Sequence, residues 1–339
     1  MIPVPNAVLE ALAVTYDTTA AQLAHFGGGN ESSDGVVYAY PDGGTRRLLK
    51  IMAIPAEDRR RGRLCLDERL RFMRFLGEGG AQIAYPSLSP QGQVYEMVEE
   101  EDHLWVAYSM DIAPGKGPKQ DAWDPVLFRN WGLAIGQLHL LTQEYPSWRG
   151  AVDPETGETF LTWKEEWQGF YEWCQDEQVR EKWVEIREQL EALPVTRDAF
   201  GFIHNDPHIW NLCADEERVT ILDFDVANHH WFMTDIAIAC QNILIFVSGG
   251  LGAPVRDRDK LVAFLGYFME GYERENHLSV EWLSRLDLFI SYRRILMFIV
   301  MYGWLSSQPE HHAAWKEMNL TCPEVAGPSP LPSGKRGRG

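Results

Sequence analysis

Basic residues are scarce in this chain. Against 49 Asp and Glu stand 31 Lys and Arg, a formal charge of −18 over 339 residues. A surface of that sign repels a phosphodiester backbone, so no nucleic-acid partner is expected and a cationic ligand is favoured. Cysteine is sparse too. Cys65, Cys174, Cys213, Cys240 and Cys322 are odd in number and never form a CxxC pair, which argues against a disulfide framework and a zinc ribbon. Long apolar runs are missing: IAIACQNILIFV and ILMFIVMYGWL are shorter than a bilayer requires and read as buried helices, so no membrane partner is expected. The stretch MIPVPNAVLEALAVTYD has no basic segment before its apolar residues and contains Glu10. No secretory signal is expected there, and the chain reads as cytoplasmic. No internal repeat is present, and nothing speaks to oligomeric state.

What remains is the composition of a globular protein, 45% hydrophobic and 24% charged, long enough for two packed lobes. Residues 7 to 24 have helical spacing. VVYAY and RRLLKIMA flank the turn Pro41-Asp42-Gly43-Gly44 and predict a hairpin. LDERLRFMRFLGEGG follows with one apolar helix face, and VYEMVEE with HLWVAYSMDI predicts a second hairpin. Pro114-Gly115-Lys116-Gly117-Pro118 breaks the pattern, and helical periods dominate from about 124 onward. The expectation is an α+β, bilobal chain: a small β-rich lobe over 1–113, a large helical lobe over 114–325, and a disordered Pro/Ser/Gly-rich tail over 326–339.

Chemistry concentrates in IHNDPHIWNL at 203–212 and ILDFDVANHHW at 221–231. His204 and His208 have the i, i+4 spacing of a helical zinc pair, but Asn205 stands where a general-base Glu belongs and Pro207 sits between them, so zinc is set aside. The same residues also read H-x-D-x-x-x-x-N, then D-F-D: His204, Asp206 and Asn211, then Asp223, Phe224 and Asp225. This is the order of a phosphoryl-transfer loop and its metal loop. One carboxylate, Asp206, can orient an acceptor hydroxyl. Asn211 and Asp223 offer the hard oxygens that suit magnesium bound to nucleotide phosphates. Upstream, Gly27-Gly28-Gly29-Asn30-Glu31-Ser32-Ser33 precedes a strand, Lys50 lies on the next, and Glu68 on the following helix. Gly28, Gly29, Ser32, Ser33 and Lys50 are placed at the nucleotide phosphates, with Glu68 as a partner for Lys50 and Met110 ahead of the Pro114 break.

With His204-x-Asp206-x-His208-x-x-Asn211, Ile221-Leu222-Asp223-Phe224-Asp225, Asp235-Ile236-Ala237 and Gly136-Gln137-Leu138-His139, residues 20 to 305 resemble the aminoglycoside phosphotransferase and choline kinase superfamily, which has a protein-kinase-like fold. WKEEW, His230-Trp231-Phe232 and ISYRRILMF are similar to its branch of homoserine kinases and bacterial stress-response Ser/Thr kinases. The resemblance implies ATP and magnesium as cofactors, Asp206 as catalytic base, Asn211 and Asp223 on the metal, Lys50 on phosphate and Asp235 as a tie beneath the catalytic loop. Asn205 departs from the glycine common in these enzymes, and Pro207-His208-Ile209-Trp210 is bulkier than usual. The expected reaction moves the γ-phosphoryl group to a hydroxyl of a small, amine-bearing or otherwise cationic molecule. Its pocket is expected near Asp225, His229, Trp231, Tyr292 and Arg293. A protein Ser/Thr kinase and a nucleotide-binding pseudokinase are the alternatives.

Overall fold

A computed structural model describes residues 3–29, 35–119, 121, 123–243 and 258–321. The chain divides into two compact units, Met1–Pro114 and Gly115–Gly339. The expected tail at 326–339 lies outside the described residues.

The first unit runs α1 (Asn6–Thr15), β1 (Ala24–Gly28), β2 (Val36–Asp42), β3 (Thr45–Pro55), α2 (Arg59–Glu78), β4 (Pro86–Ser87), β5 (Glu96–Glu99) and β6 (His103–Asp111). Its antiparallel sheet has the order β1-β2-β3-β6-β4, with β5 also on β6. Both predicted hairpins form, β2 with β3 and β5 with β6. The helix expected over 7 to 24 stops at Thr15, because Asp17 turns the backbone to a φ of 52°. HFGG, expected as turn, lies within β1 and pairs with β2 through an irregularity between His25 and Gly27. Val8 and Leu12 of α1 and Tyr16, which caps it, join Leu49, Ile51 and Trp105 of the sheet in one buried cluster. The Tyr16 hydroxyl donates to the Ala107 carbonyl at 2.7 Å, so its one polar atom is satisfied inside an apolar contact.

The second unit contains α3 (Pro125–Thr142), β7 (Ala151–Val152), β8 (Thr159–Phe160), α4 (Trp163–Trp173), α5 (Glu177–Glu191), β9 (Phe200–Ile203), β10 (Leu212–Ala214), β11 (Val219–Ile221), β12 (Asn228–Trp231), α6 (Phe232–Asn242), α7 (Arg258–Tyr272), α8 (Val280–Leu283), α9 (Leu286–Val300), α10 (Tyr302–Ser306) and α11 (Pro309–Thr321). Asp124 caps α3 by accepting from the amides of Val126 and Leu127, with Pro125 in the first turn. The continuous helical period expected over 163–193 is split into α4 and α5, because Asp176 starts a new helix by capping Gln178 and Val179.

Three glycines set the seam between α3 and α7. A Cβ on Gly132 would lie 1.8 Å from the Phe268 carbonyl oxygen, on Gly136 2.6 Å from that of Tyr272, and on Gly271 1.9 Å from that of Arg129. No side chain fits there, so the two backbones touch. The contact brings His139, at the end of α3, within 2.9 Å of the Tyr272 hydroxyl.

FGFI and VTI, on either side of the 204–211 loop, form β9 and β11, which belong to different ribbons. β9 pairs with β12 and β11 with β10, each antiparallel. The loop is therefore framed by two separate ribbons.

Candidate active site

The 204–211 loop leaves β9 at Ile203 and is fixed by Asp235, near the start of α6. Asp235 Oδ2 accepts from the His204 amide at 3.2 Å and Oδ1 from the Asn205 amide at 2.8 Å. His139 Nε2 lies 3.1 Å from Asp235 Oδ2, and its Nδ1 faces Tyr272. Asn276 donates to the Tyr272 hydroxyl at 2.9 Å, and Gln143 to Asn276 Oδ1 at 2.9 Å. With Nε2 of His139 as donor, each group in this buried row hands one hydrogen to the next, ending on Asp235. Burial lowers the pKa of His139 and the Asp235 carboxylate offsets only part of that, so the ring is neutral, as the row requires.

His204 links this loop to the metal-loop candidate. Its Nε2 donates to the Leu222 carbonyl at 2.7 Å, and its Nδ1 accepts from the Asp206 amide at 3.1 Å. Both nitrogens are engaged, which removes His204 from any zinc reading. Phe224 packs on the His204 ring at 4.4 Å and is buried, while Asp223 is exposed and Asp225 half-buried. The Leu222 amide donates to the Asn211 carbonyl at 2.8 Å, so Asn211 and Asp223 are held on adjacent segments. Asn211 Nδ2 donates to the Asp206 carbonyl at 3.0 Å, a bond that does not use Oδ1. An amide oxygen beside a carboxylate is a hard-oxygen set that fits magnesium or calcium better than zinc.

Asp206 is held on both oxygens. Arg293 Nη2 of α9 donates to Oδ1, and His208 Nε2 lies 3.3 Å from Oδ2. Burial alone would raise its pKa, but the Arg293 charge, then the hydrogen bond and charge of His208, outweigh burial and bring it down to about 2. Asp206 is thus a carboxylate over the whole neutral range. Arg293 Nε and His208 Nδ1 are buried without a protein partner.

Sequence reasoning missed Glu166. Its Oε2 accepts from Asn205 Nδ2 and, at 2.9 Å, from Asn228 Nδ2; its Oε1 accepts from the Tyr292 hydroxyl at 2.7 Å. Burial raises its pKa, against the lowering effect of Tyr292, Asn205 and Arg293. A signal was present: Trp163, Glu166, Trp167 and Phe170 stand at i, i+3, i+4 and i+7, so a carboxylate sits on the apolar stripe. Glu165, its neighbour, is taken by the capping box with Thr162. Reciprocal bonds between the Trp167 and Trp183 indoles and each other's carbonyls join α4 to α5, and Trp183 packs on Tyr292 at 4.6 Å.

Two expected acceptor contacts do not hold. His229 is fully buried in β12, its Nδ1 on the Leu161 carbonyl and its Nε2 on that of Ser147, with Phe202 stacked at 4.4 Å. Trp231 is buried between Trp163 and Phe200 and donates to the Pro194 carbonyl at 2.9 Å. Both are core residues, because β12 is covered on each face. Arg293, in contrast, donates to Asp206, while Tyr292 is buried like them, with its hydroxyl on Glu166.

In the first unit, Gly28 and Gly29 end β1 at φ values of 69° and 80°, and the Gly29 amide donates to the Gly35 carbonyl at 3.0 Å. Lys50 is buried in the middle of β3, opposite Val37 and Tyr108, with its Cε 3.3 Å from where a Cβ on Gly35 would sit. The glycine turn and Lys50 are therefore neighbours. Glu68 is buried on α2 and accepts from Arg71 at 2.7 Å. Met110, near the end of β6, lies opposite Leu48 and Pro86. Ser32 and Ser33 lie outside the described residues.

Residues 30–279 match the model of APH, the phosphotransferase enzyme family. Amicoumacin kinase of Bacillus subtilis (strain 168) is 27% identical over 241 residues, 69% of this chain and 68% of that protein. The solved structure of the amicoumacin kinase hAmiN in complex with AMP-PNP, Ca2+ and Ami superposes with a TM-score of 0.79 at 24% identity, over 94% of this chain and 93% of that one. The microcompartment-associated aminopropanol kinase superposes with a TM-score of 0.64 at 18% identity, over 92% and 94%. These likenesses bear out the expected α+β, kinase-like fold, a β-sheet N-terminal region followed by a helical C-terminal one. The family match spans well over half of the sequence, and the chain belongs to the phosphotransferase enzyme family.

Proposed function

We propose that this small-molecule phosphotransferase moves the γ-phosphoryl group of ATP to a hydroxyl of an amine-bearing acceptor, with Asp206 as the catalytic carboxylate. The observation that carries the reading is the state of Asp206: ionised, held on both oxygens and tied through Asn211 and His204 to the segment bearing Asp223. A carboxylate with a pKa of about 2 is a weak base, so its task is to orient the acceptor hydroxyl by accepting its hydrogen. The acceptor oxygen then bonds to the γ-phosphorus as the bond to the leaving ADP oxygen breaks, and the hydroxyl proton passes late to Asp206, which gives it up to solvent, as a loose transition state allows. Asn211 and Asp223 would hold a magnesium ion that neutralises phosphate charge. Within the first unit, Gly28, Gly29 and Lys50 would contact phosphate, with Glu68 and Met110 as further nucleotide contacts; within the second, Asp225, Tyr292 and Arg293 would border the acceptor.

The acceptor class is supported by three things: the charge of −18, the name of the Bacillus subtilis relative, and the aminopropanol kinase, whose named substrate joins an amine to a hydroxyl. The test is a panel of amicoumacin, aminopropanol, spectinomycin, homoserine and a generic protein substrate with ATP and magnesium. Products are read by mass, with wild type beside Asp206→Asn. One amine-bearing alcohol should gain a phosphoryl group, and Asp206→Asn should lower kcat by about 10²-fold or more while nucleotide still binds. Transfer to protein alone, or an active Asp206→Asn, would overturn the reading.

A further inference from the structure

We propose that Glu166 is a positioning residue for phosphoryl transfer, gripping Asn205 in the left-handed conformation that turns the chain into Asp206. The inference rests on the reading of Asp206 given above. Asn205 has a φ of 67°, a region that costs a residue with a Cβ on the order of 1 kcal/mol or more, and that Asn tolerates better than most. Something must repay that cost at a loop whose next residue is the catalytic carboxylate.

Two anchors do so. The Asn205 amide is held by Asp235 at 2.8 Å. Its side chain donates to Glu166 Oε2 and, at 3.2 Å, to the Val226 carbonyl. Glu166 also accepts from Asn228 on β12 and from Tyr292 on α9. The helix that carries it is pinned to β12 at its entry, where the His229 amide donates to the Leu161 carbonyl at 2.8 Å. Residue 293, next to Tyr292, supplies the guanidinium on Asp206. Glu166 therefore meets Asp206 by two routes, through the residue before it and through the residue beside its ion-pair partner, without touching it. Three protein donors occupy its two oxygens, so it is placed as an internal brace and not as a contact for the acceptor's amine.

The role is hydrogen-bonding, so a neutral carbonyl in place of the carboxylate should largely serve. It should also be coupled to Asn205, because glycine adopts a positive φ without help. The experiment is a double-mutant cycle with the best acceptor of the panel above. Glu166→Ala is expected to lower kcat about tenfold or more, as a misplaced reacting group does, with the KM for ATP unchanged. Glu166→Gln should recover most of that loss. In the Asn205→Gly background, Glu166→Ala should cost less than about threefold, a coupling that independent sites would not show. If Glu166→Ala does not fold, Glu166→Met removes the acceptor atoms while keeping the volume.

A Glu166→Gln as poor as Glu166→Ala, with a raised acceptor KM, would make Glu166 a charge site for the acceptor and overturn the proposal. So would equal losses in both backgrounds, which is the mark of a stabilising contact only. Hydrogen exchange over 203–212, measured with no acceptor present, supplies an arm independent of turnover: Glu166→Ala should hasten exchange in the native background and not in the Asn205→Gly background. If wild type transfers no phosphoryl group to any compound, the functional reading fails, and this arm still decides for or against the Glu166–Asn205 pair.

Discussion

The guanidinium of Arg293 donates to Oδ1 of Asp206 from 87 positions further along the chain. That charge, with His208, turns a site whose burial favours a neutral acid into one that holds a carboxylate. Replacing Arg293 by Met should let the Asp206 pKa climb toward or beyond that of an ordinary aspartate, about 3.9. The pH profile of kcat/KM should then gain an acid limb that wild type lacks between pH 4 and 6, with a lower plateau. An unchanged profile would separate Arg293 from the ionisation of Asp206.

Asp223 and Asn211 form the oxygen set proposed above for magnesium. Asp223→Ala should abolish the magnesium-dependent part of nucleotide binding in calorimetry while the fold, followed by circular dichroism, is retained. Stoichiometric zinc in the purified protein, lost with His208→Ala, would restore the zinc alternative.

Gly28, the last residue of β1, has little room for a side chain. Its φ is 69°, and an added Cβ would lie 2.3 Å from the Gly35 carbonyl oxygen. Gly28→Ala must therefore displace backbone, not a pliable side chain. It should raise the KM for ATP more than it lowers kcat, and cost on the order of 1 kcal/mol or more of stability. A KM equal to wild type would detach this turn from the nucleotide.

Acid should destabilise the protein through buried histidines. Burial brings the His230 pKa down to about 3, and lowers that of His139 as well. Both are neutral when folded, yet each takes a proton below its ordinary value, about 6.5, once unfolded. The unfolded chain therefore binds more protons between those limits, and stability falls as the pH drops from 7 toward 4. His230→Asn should flatten this fall by about 1.4 kcal/mol per pH unit, one proton's worth. Glu166, whose pKa is raised, acts with the opposite sign above about pH 4.5 but cancels in the comparison. Equal slopes for both proteins would refute the assignment.

The parts of the site legible in the sequence were those whose residues are close together in it. His204, Asp206, Asn211, Asp223 and Phe224 occupy twenty-one consecutive positions, and spacing alone proposes their order. Strand partners were harder, because FGFI and VTI are equally apolar and neither names NHHW or LCA as its mate. His229 and Trp231 misled for a related reason: a histidine reads as chemistry until the distant carbonyls of Ser147 and Leu161 are seen to occupy it. Glu166 was concealed beside a capping glutamate, and only the helix stripe distinguishes the two. Asn205 stood out as a departure from glycine, but its positive φ, which explains both the usual glycine and the tolerated asparagine, belongs to the folded chain.

The seam where α3 meets α7 behaves as a spacer gauge. Side-chain interfaces accommodate a larger neighbour by changing rotamers; here carbonyl oxygens face hydrogens at Gly132, Gly136 and Gly271, and a methyl group at any of them can only prise the helices apart. The distance between them sets the distance from Tyr272 to His139, and so the tension on Asp235 and the two amides it holds. A substitution at Gly132, well removed in sequence from any proposed catalytic group, should therefore register as a loosened catalytic loop.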